Sequence, residues 1–201
     1  MAQDAPAPRA TYADLEAVPP HLVAEIINGA LYTHPRPRPR HAHAYSRLGT
    51  LIGSKFDLGD GGPGGWVILD EPELHLGDDV VVPDIAGWRR ERMPRLPEEA
   101  FFTLPPDWVC EILSPSTERL DRTAKRDIYA RHGVGHLWLV NPEERLIETF
   151  ALKDAQWLLL ATYAEKGAVA APPFDAAPFE LSLLWPDEGP ASETGGSSPP
   201  A

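Results

Sequence analysis

The chain is short of cysteine and of positive charge. Its one cysteine, Cys110, excludes an internal disulfide. No apolar run approaches the roughly 20 residues that a membrane-spanning helix needs. Met1 to Arg9 holds no apolar signal-peptide stretch. These absences predict a soluble, cytoplasmic protein with no membrane partner. Lys and Arg total 18 against 30 Asp and Glu, a formal net charge of −12. That balance argues against a protein that coats nucleic acid nonspecifically, because neutralising phosphates takes clustered cations. What is there is a chain of 201 residues, 43% hydrophobic, enough for one folded domain with a buried core.

The distribution of charge says more than its sum. Between His34 and Arg47 stand Arg36, Arg38, Arg40 and Arg47 with three histidines and no acid. Arg119 to Arg131 is also net basic, while many acids lie between Asp57 and Asp79 and in the C-terminal third. Each basic stretch reads equally as a solvated surface. Residues 1–10 and 186–201 are expected to be disordered tails, rich in Ala, Pro, Gly and Ser. The domain is expected over residues 11–185.

Thr11 and Asp14 suit a helix start, and Pro19 and Pro20 end that helix. Asn28-Gly29 between Leu22–Ile27 and Ala30–Thr33 predicts a hairpin. His41 to Phe56 carries apolar residues at helical spacing. Short strands are expected at Trp66–Leu69 and Leu74–Leu76. Asp78 to Ala86 reads as one strand ending near Pro83, and Asp107 to Leu113 as another. A helix capped by Thr117 is expected to run to about His132. His136–Val140, Arg145–Leu152 and Trp157–Tyr163 predict a C-terminal β-meander, and Phe179–Trp185 a last short strand. The order predicts an α/β (α+β-like) fold, a mixed β-sheet with flanking helices.

Alternation along Trp108–Leu113 puts Val109, Glu111 and Leu113 on one face. A carboxylate among apolar neighbours must be neutralised, paired with Arg or Lys, or bound to a cation. Asp84, at the end of an apolar strand after Pro83, poses the same question, or else caps a turn. Leu120, Ala124 and Ile128 form an apolar helical stripe, with Asp121, Lys125 and Tyr129 one position on. At about 100° per residue Lys125 lies beside the buried edge and could reach Glu111, or pair with Asp121 on the surface. Two strand acids and a lysine are the set that metal-assisted phosphodiester hydrolysis requires.

Val-Pro-Asp-Ile at 82–85, Glu-Ile-Leu-Ser-Pro-Ser-Thr at 111–117, Asp121, Lys125, Tyr129 and Gly-Val-Gly-His-Leu-Trp-Leu-Val-Asn-Pro at 133–142 resemble the Uma-two family of restriction endonucleases. Ala-Glu-Ile-Ile-Asn-Gly at 24–29 and the His-led helix from His41 match too. The resemblance spans about Thr11 to Trp185, and the family is similar to the PD-(D/E)XK nucleases. It implies a restriction-endonuclease-like core in which Asp84 and Glu111 hold Mg²⁺ or Mn²⁺. The lysine expected two residues after the second acid is Leu113 here, and the resemblance implies that Lys125 fills its place. Glu25 stands at the family's early acid, as a further metal ligand or as a structural hairpin residue. His41, Arg40, Tyr129 and Ser114 are candidates for supporting the site or contacting phosphate.

His41-Ala42-His43 lacks a third metal ligand at recognisable spacing, and both histidines are expected to face solvent or a phosphate. The glycine-rich 59–65 segment lacks a phosphate-loop ending, and Cys110 reads as a buried apolar residue. The leading expectation is a Mg²⁺-dependent DNA endonuclease, with a homodimer suited to cutting both strands. The alternatives are a catalytically decayed nucleic-acid-binding or assembly module, and a hydrolase of small phosphoesters.

Overall fold

The computed structural model describes residues 8–186; the expected tails fall almost wholly on residues outside that range. Thr11 caps α1 (Tyr12–Glu16) through a reciprocal box with Asp14. β1 (Leu22–Ile27) and β2 (Ala30–Pro35) then form the expected hairpin. Its turn residues Asn28 and Gly29 both have positive φ, 52° and 82°. α2 (Pro39–Ile52) follows and ends in a π-helical turn, Gly53–Asp57. The helix starts two residues before the expected His41, because proline suits the first helical position, where no N–H is needed.

Four short strands come next: β3 (Trp66–Asp70), β4 (Leu74–Leu76), β5 (Asp79–Val81) and β6 (Ile85–Arg89). The single strand expected over Asp78–Ala86 is thus two strands. They join different sheets, since Pro83 cannot donate to a ladder and the Val82 N–H is taken by the Glu25 carboxylate at 2.8 Å. β7 (Trp108–Ile112) leads into one helical span built of α3 (Glu118–Leu120), a π-helical turn at Asp121–Lys125, and α4 (Arg126–Arg131). β8 (His136–Asn141), β9 (Leu146–Lys153) and β10 (Gln156–Ala164) form the meander, followed by β11 (Ala168–Val169) and β12 (Phe179–Glu180). The strand expected over Phe179–Trp185 stops at Glu180 and turns into a 3₁₀ helix, Leu181–Leu184, whose Leu181 and Leu184 are buried.

The strands form a four-stranded sheet in the order β2-β1-β5-β4 and a six-stranded sheet in the order β10-β9-β8-β7-β6-β3. β7 and β8 run parallel, joined through the helical span, while their neighbours in the six-stranded sheet are antiparallel. The fold is therefore a mixed α/β architecture. Trp108, Cys110, Ile112 and Trp138 pack on Ala44, Leu48 and Ile52 of α2. Val109, Leu113, Leu137 and Leu139 face Ile27 and Val81 of the smaller sheet and Ile128 and Tyr129 of α4. Glu111 lies on this second face, enclosed between the two sheets and the helical span. Among the described residues no helix is long and apolar enough to cross a membrane.

Candidate active site

The crossover at Val82–Asp84 sets the site. Ile85 of β6 pairs with Cys110 of β7, so Asp84 stands beside the end of β7. Its Oδ2 accepts the Ile112 N–H at 2.7 Å, and its Oδ1 lies 3.2 Å from His41 Nε2. His41 comes from the first turn of α2 and is buried, so of the two expected settings, solvent or a phosphate, it does not take the first. His43 points away, with Nδ1 3.1 Å from the Leu184 carbonyl. Asp84 is thus oriented from two sides without a lysine or arginine partner among the described residues.

Lys125 arrives from the π-helical turn. Uniform α-helical phase puts the Leu120, Ala124 and Ile128 stripe innermost. The wider turn rotates the helix, so Asp121, Lys125 and Tyr129 are buried along with Ile128, while Leu120 and Ala124 are only half-buried. Lys125 Nζ lies 2.9 Å from Glu111 Oε1, 3.1 Å from Glu25 Oε1 and 3.5 Å from Asp121 Oδ1, and donates to the Val82 carbonyl at 3.3 Å. Tyr129 donates its hydroxyl proton to Glu111 Oε1 at 2.5 Å. Glu25 Oε2 lies 3.1 Å from His34 Nε2.

These contacts set the charge states. Burial pushes the Glu25 carboxyl up, but Lys125, His34 and the Val82 N–H hold its pKa down at about 2. Glu111 behaves oppositely: burial, with Asp121, Asp84 and Glu25 nearby, holds it well above the usual carboxylate range despite Lys125. Burial likewise pushes Asp121 up to about 6 against the pull of Lys125 and Thr117. Lys125 would lose its proton more readily on burial alone, yet Glu111 and Glu25 hold its pKa well above normal. Burial disfavours charged His41 too, but its bond to Asp84 raises its pKa.

A cavity of about 150 Å³ opens onto this cluster, lined among others by His41, Asp84, Glu111, Ser114, Asp121 and Lys125. The structure therefore brings Asp84, Glu111, Lys125, His41 and Ser114 to one pocket. Glu25 and Tyr129 stand behind it, bonded to Lys125 and Glu111. Arg40 is exposed on α2 and does not line the pocket, whereas Arg36 and Arg38 do. Sequence reasoning placed Asp121 in the helical row with Lys125 and in the family's pattern, but gave it no role in the pocket. The four-residue spacing of Asp121 and Lys125 was the signal for a shared buried face. Cys110 is buried with its thiol pKa pushed well up by burial, away from any reactive state.

Among the described residues no three His, Cys, Asp or Glu side chains are grouped as a ready-made metal cage. The reason is visible: Lys125 occupies the point on which Glu25, Glu111 and Asp121 converge. The remaining donors nevertheless suit a hard cation. Four carboxyl groups, Glu25, Asp84, Glu111 and Asp121, face one ammonium and two imidazoles, and a cation beside them would favour the charged forms of Glu111 and Asp121. Mg²⁺ is commonly held by one or two carboxylates, with water and substrate phosphate completing its shell.

A family model described as "Putative restriction endonuclease", Uma2, matches residues 9–183. The fold is similar to a crystal structure from Anabaena variabilis ATCC 29413, described as a putative nuclease belonging to DUF820. The TM-score is 0.71 and the identity 23%, over 87% of this chain and 97% of that one. No curated protein matches.

Proposed function

The chain belongs to the Uma2 family of restriction-endonuclease-like proteins, and on that premise we propose that it is a metal-dependent DNA endonuclease. The observation that carries the reading is the Lys125 ammonium 2.9 Å from Glu111, in a pocket that Asp84 also lines. That contact supplies what Leu113 cannot, since Leu113 is buried in the core.

Asp84 and Glu111 are the residues that would hold Mg²⁺ or Mn²⁺. When bound, the ion supplies Lewis-acid charge against the phosphate oxygens. The chain's own residues do the rest. Ile112 N–H and His41 fix the rotamer of Asp84, so one carboxylate is aimed before substrate arrives. Lys125 offsets the negative charge that builds on the phosphate as water forms one P–O bond and the sugar oxygen leaves from another. Glu25 holds Lys125 charged and in place. Tyr129 holds Glu111 by the oxygen that faces Lys125. Ser114, at the pocket rim, supplies a hydroxyl within the same lining. A two-fold dimer would present two such pockets to the two strands of a duplex.

The test is cleavage of supercoiled plasmid and short duplexes. Cleavage is expected with Mg²⁺ or Mn²⁺, none with EDTA, and none in folded Asp84→Asn or Glu111→Gln. Absence of cleavage with either ion overturns the proposal. Cleavage of small phosphoesters but not of duplex DNA would reassign the substrate. A second reading, a decayed nucleic-acid-binding module, is favoured by the absence of a three-ligand cage among the described residues. It expects no ion effect on stability, and duplex binding unchanged in folded Glu111→Gln.

A further inference from the structure

One stretch of the pocket wall is the segment Pro35-Arg36-Pro37-Arg38 that precedes α2. Prolines at 35, 37 and 39 fix φ and disfavour helix in the residues before them. Arg38 is accordingly extended, with φ −71° and ψ 160°. An extended chain advances about 3.1–3.4 Å per residue, so the two arginines are spaced by about 6–7 Å. Adjacent phosphates along one DNA strand are about as far apart, since each step adds the winding of the strand to an axial rise of about 3.4 Å.

Arg36 and Arg38 are both exposed and both line the pocket. Among the described residues neither has a carboxylate partner, and of the arginines without one, such as Arg40, Arg47, Arg95 and Arg119, only these two line the pocket. Arg36 makes one long contact, 3.5 Å to the Pro20 carbonyl. Two guanidinium groups are thus held at a pocket of carboxylates without being spent on them. Glu71 shares this lining with Asp84, Glu111 and Asp121, and none of the four is ion-paired to Arg36 or Arg38. In a chain of net charge −12 these two cations stand where an anion entering the pocket would meet them. A guanidinium fork matches phosphate oxygens, and a proline frame lowers the cost of ordering it.

We propose that the Pro35–Pro39 strap is a phosphate clamp: Arg36 and Arg38 grip two backbone phosphates of the DNA strand whose neighbouring phosphate enters the pocket. The inference rests on the nuclease reading and narrows it to a polymer substrate, because a small phosphoester has no second phosphate for the clamp. It also moves the phosphate contact from Arg40 to its two upstream neighbours.

The experiment is salt-dependent binding of a fluorescein-labelled 20-base-pair duplex, in Ca²⁺ to prevent cleavage, between 50 and 200 mM KCl. Each lost phosphate contact lowers the slope of log affinity against log salt by about 0.9, or about 3.5-fold in affinity over that range. Arg36→Ala with Arg38→Ala is expected to lower the slope by about 1.8. The salt-induced loss of binding then shrinks by about 12-fold. Arg36→Lys with Arg38→Lys should keep the slope, since charge is retained, and Arg40→Ala should leave it unchanged. Thermal melts confirm that these surface variants stay folded. A double alanine variant with the wild-type slope overturns the clamp alone. Wild type that binds neither duplex nor single strand overturns the nuclease reading with it.

Discussion

Replacing Lys125 by methionine keeps the length of the aliphatic stem and removes only the ammonium. The structure makes the consequence calculable. Lys125 is buried and is the cation shared by Glu111, Glu25 and Asp121 at 2.9, 3.1 and 3.5 Å. Removing one partner of a buried ion pair costs about 3–5 kcal/mol. For a domain of this size each kcal/mol is worth about 2–4 °C, so the melting temperature should fall by about 6–20 °C at pH 8. The sign of the pH dependence follows from linkage. Without the ammonium all three carboxyls are raised in the folded state, so that state binds more protons than the unfolded chain. Stability is then recovered as pH falls and lost as pH rises. Urea denaturation in EDTA at pH 8 and pH 5 measures both effects. A loss below about 1 kcal/mol at pH 8, or a gap from wild type that does not narrow at pH 5, refutes the reasoning.

Glu25 should define the acid limb of stability. Its pKa is held at about 2 against an ordinary 4.5, worth about 3 kcal/mol that is present above pH 4.5 and lost as pH falls toward 2. Glu25→Gln should flatten that limb in urea titrations, and an unchanged limb would place the effect elsewhere. Asp121 works the other way: raised to about 6, it favours the fold at low pH and ceases to as pH rises through 6. Asp121→Asn should therefore raise the melting temperature at pH 8 relative to wild type but not at pH 4. Equal shifts at both values would count against a buried, protonatable Asp121. Gly87 has no room for a side chain: a Cβ there would meet Ile68 Cδ1 at 2.8 Å and the Trp108 and Trp66 rings at 3.2 and 3.3 Å. Gly87→Ala should cost about 1–3 kcal/mol in the denaturation midpoint, and a neutral result would show that these rings yield freely.

Local signals in the chain carried much of the architecture. Asn28-Gly29 specified its hairpin because both residues accept positive φ. Alternation along β7 put Glu111 on the face opposite Trp108 and Cys110, and the packing agrees. Pro83 marked the end of a strand but not its consequence, since a proline says where pairing stops and not which sheet the chain enters next. That β1 pairs with β5 is a contact between distant segments and leaves no local trace. The helix after Thr117 shows the limit of periodicity. A phase of 100° per residue assumes an unbroken α-helix, and the π-helical turn at Asp121–Lys125 turns the polar row inward. Asp84, Glu111 and Lys125 were therefore legible as chemistry that a core does not ask for. Asp121, Arg36 and Arg38 were not legible as parts of the pocket, because their places depend on that turn and on where α2 begins.

The central claim is that Asp84 and Glu111 hold a catalytic cation beside Lys125. Calorimetric titration of the full chain with Mn²⁺ tests it most directly. A carboxylate-dependent site is expected in wild type and lost in folded Asp84→Asn. Wild-type protein that takes up no Mn²⁺, or an Asp84→Asn variant that binds it as wild type does, would contradict the account.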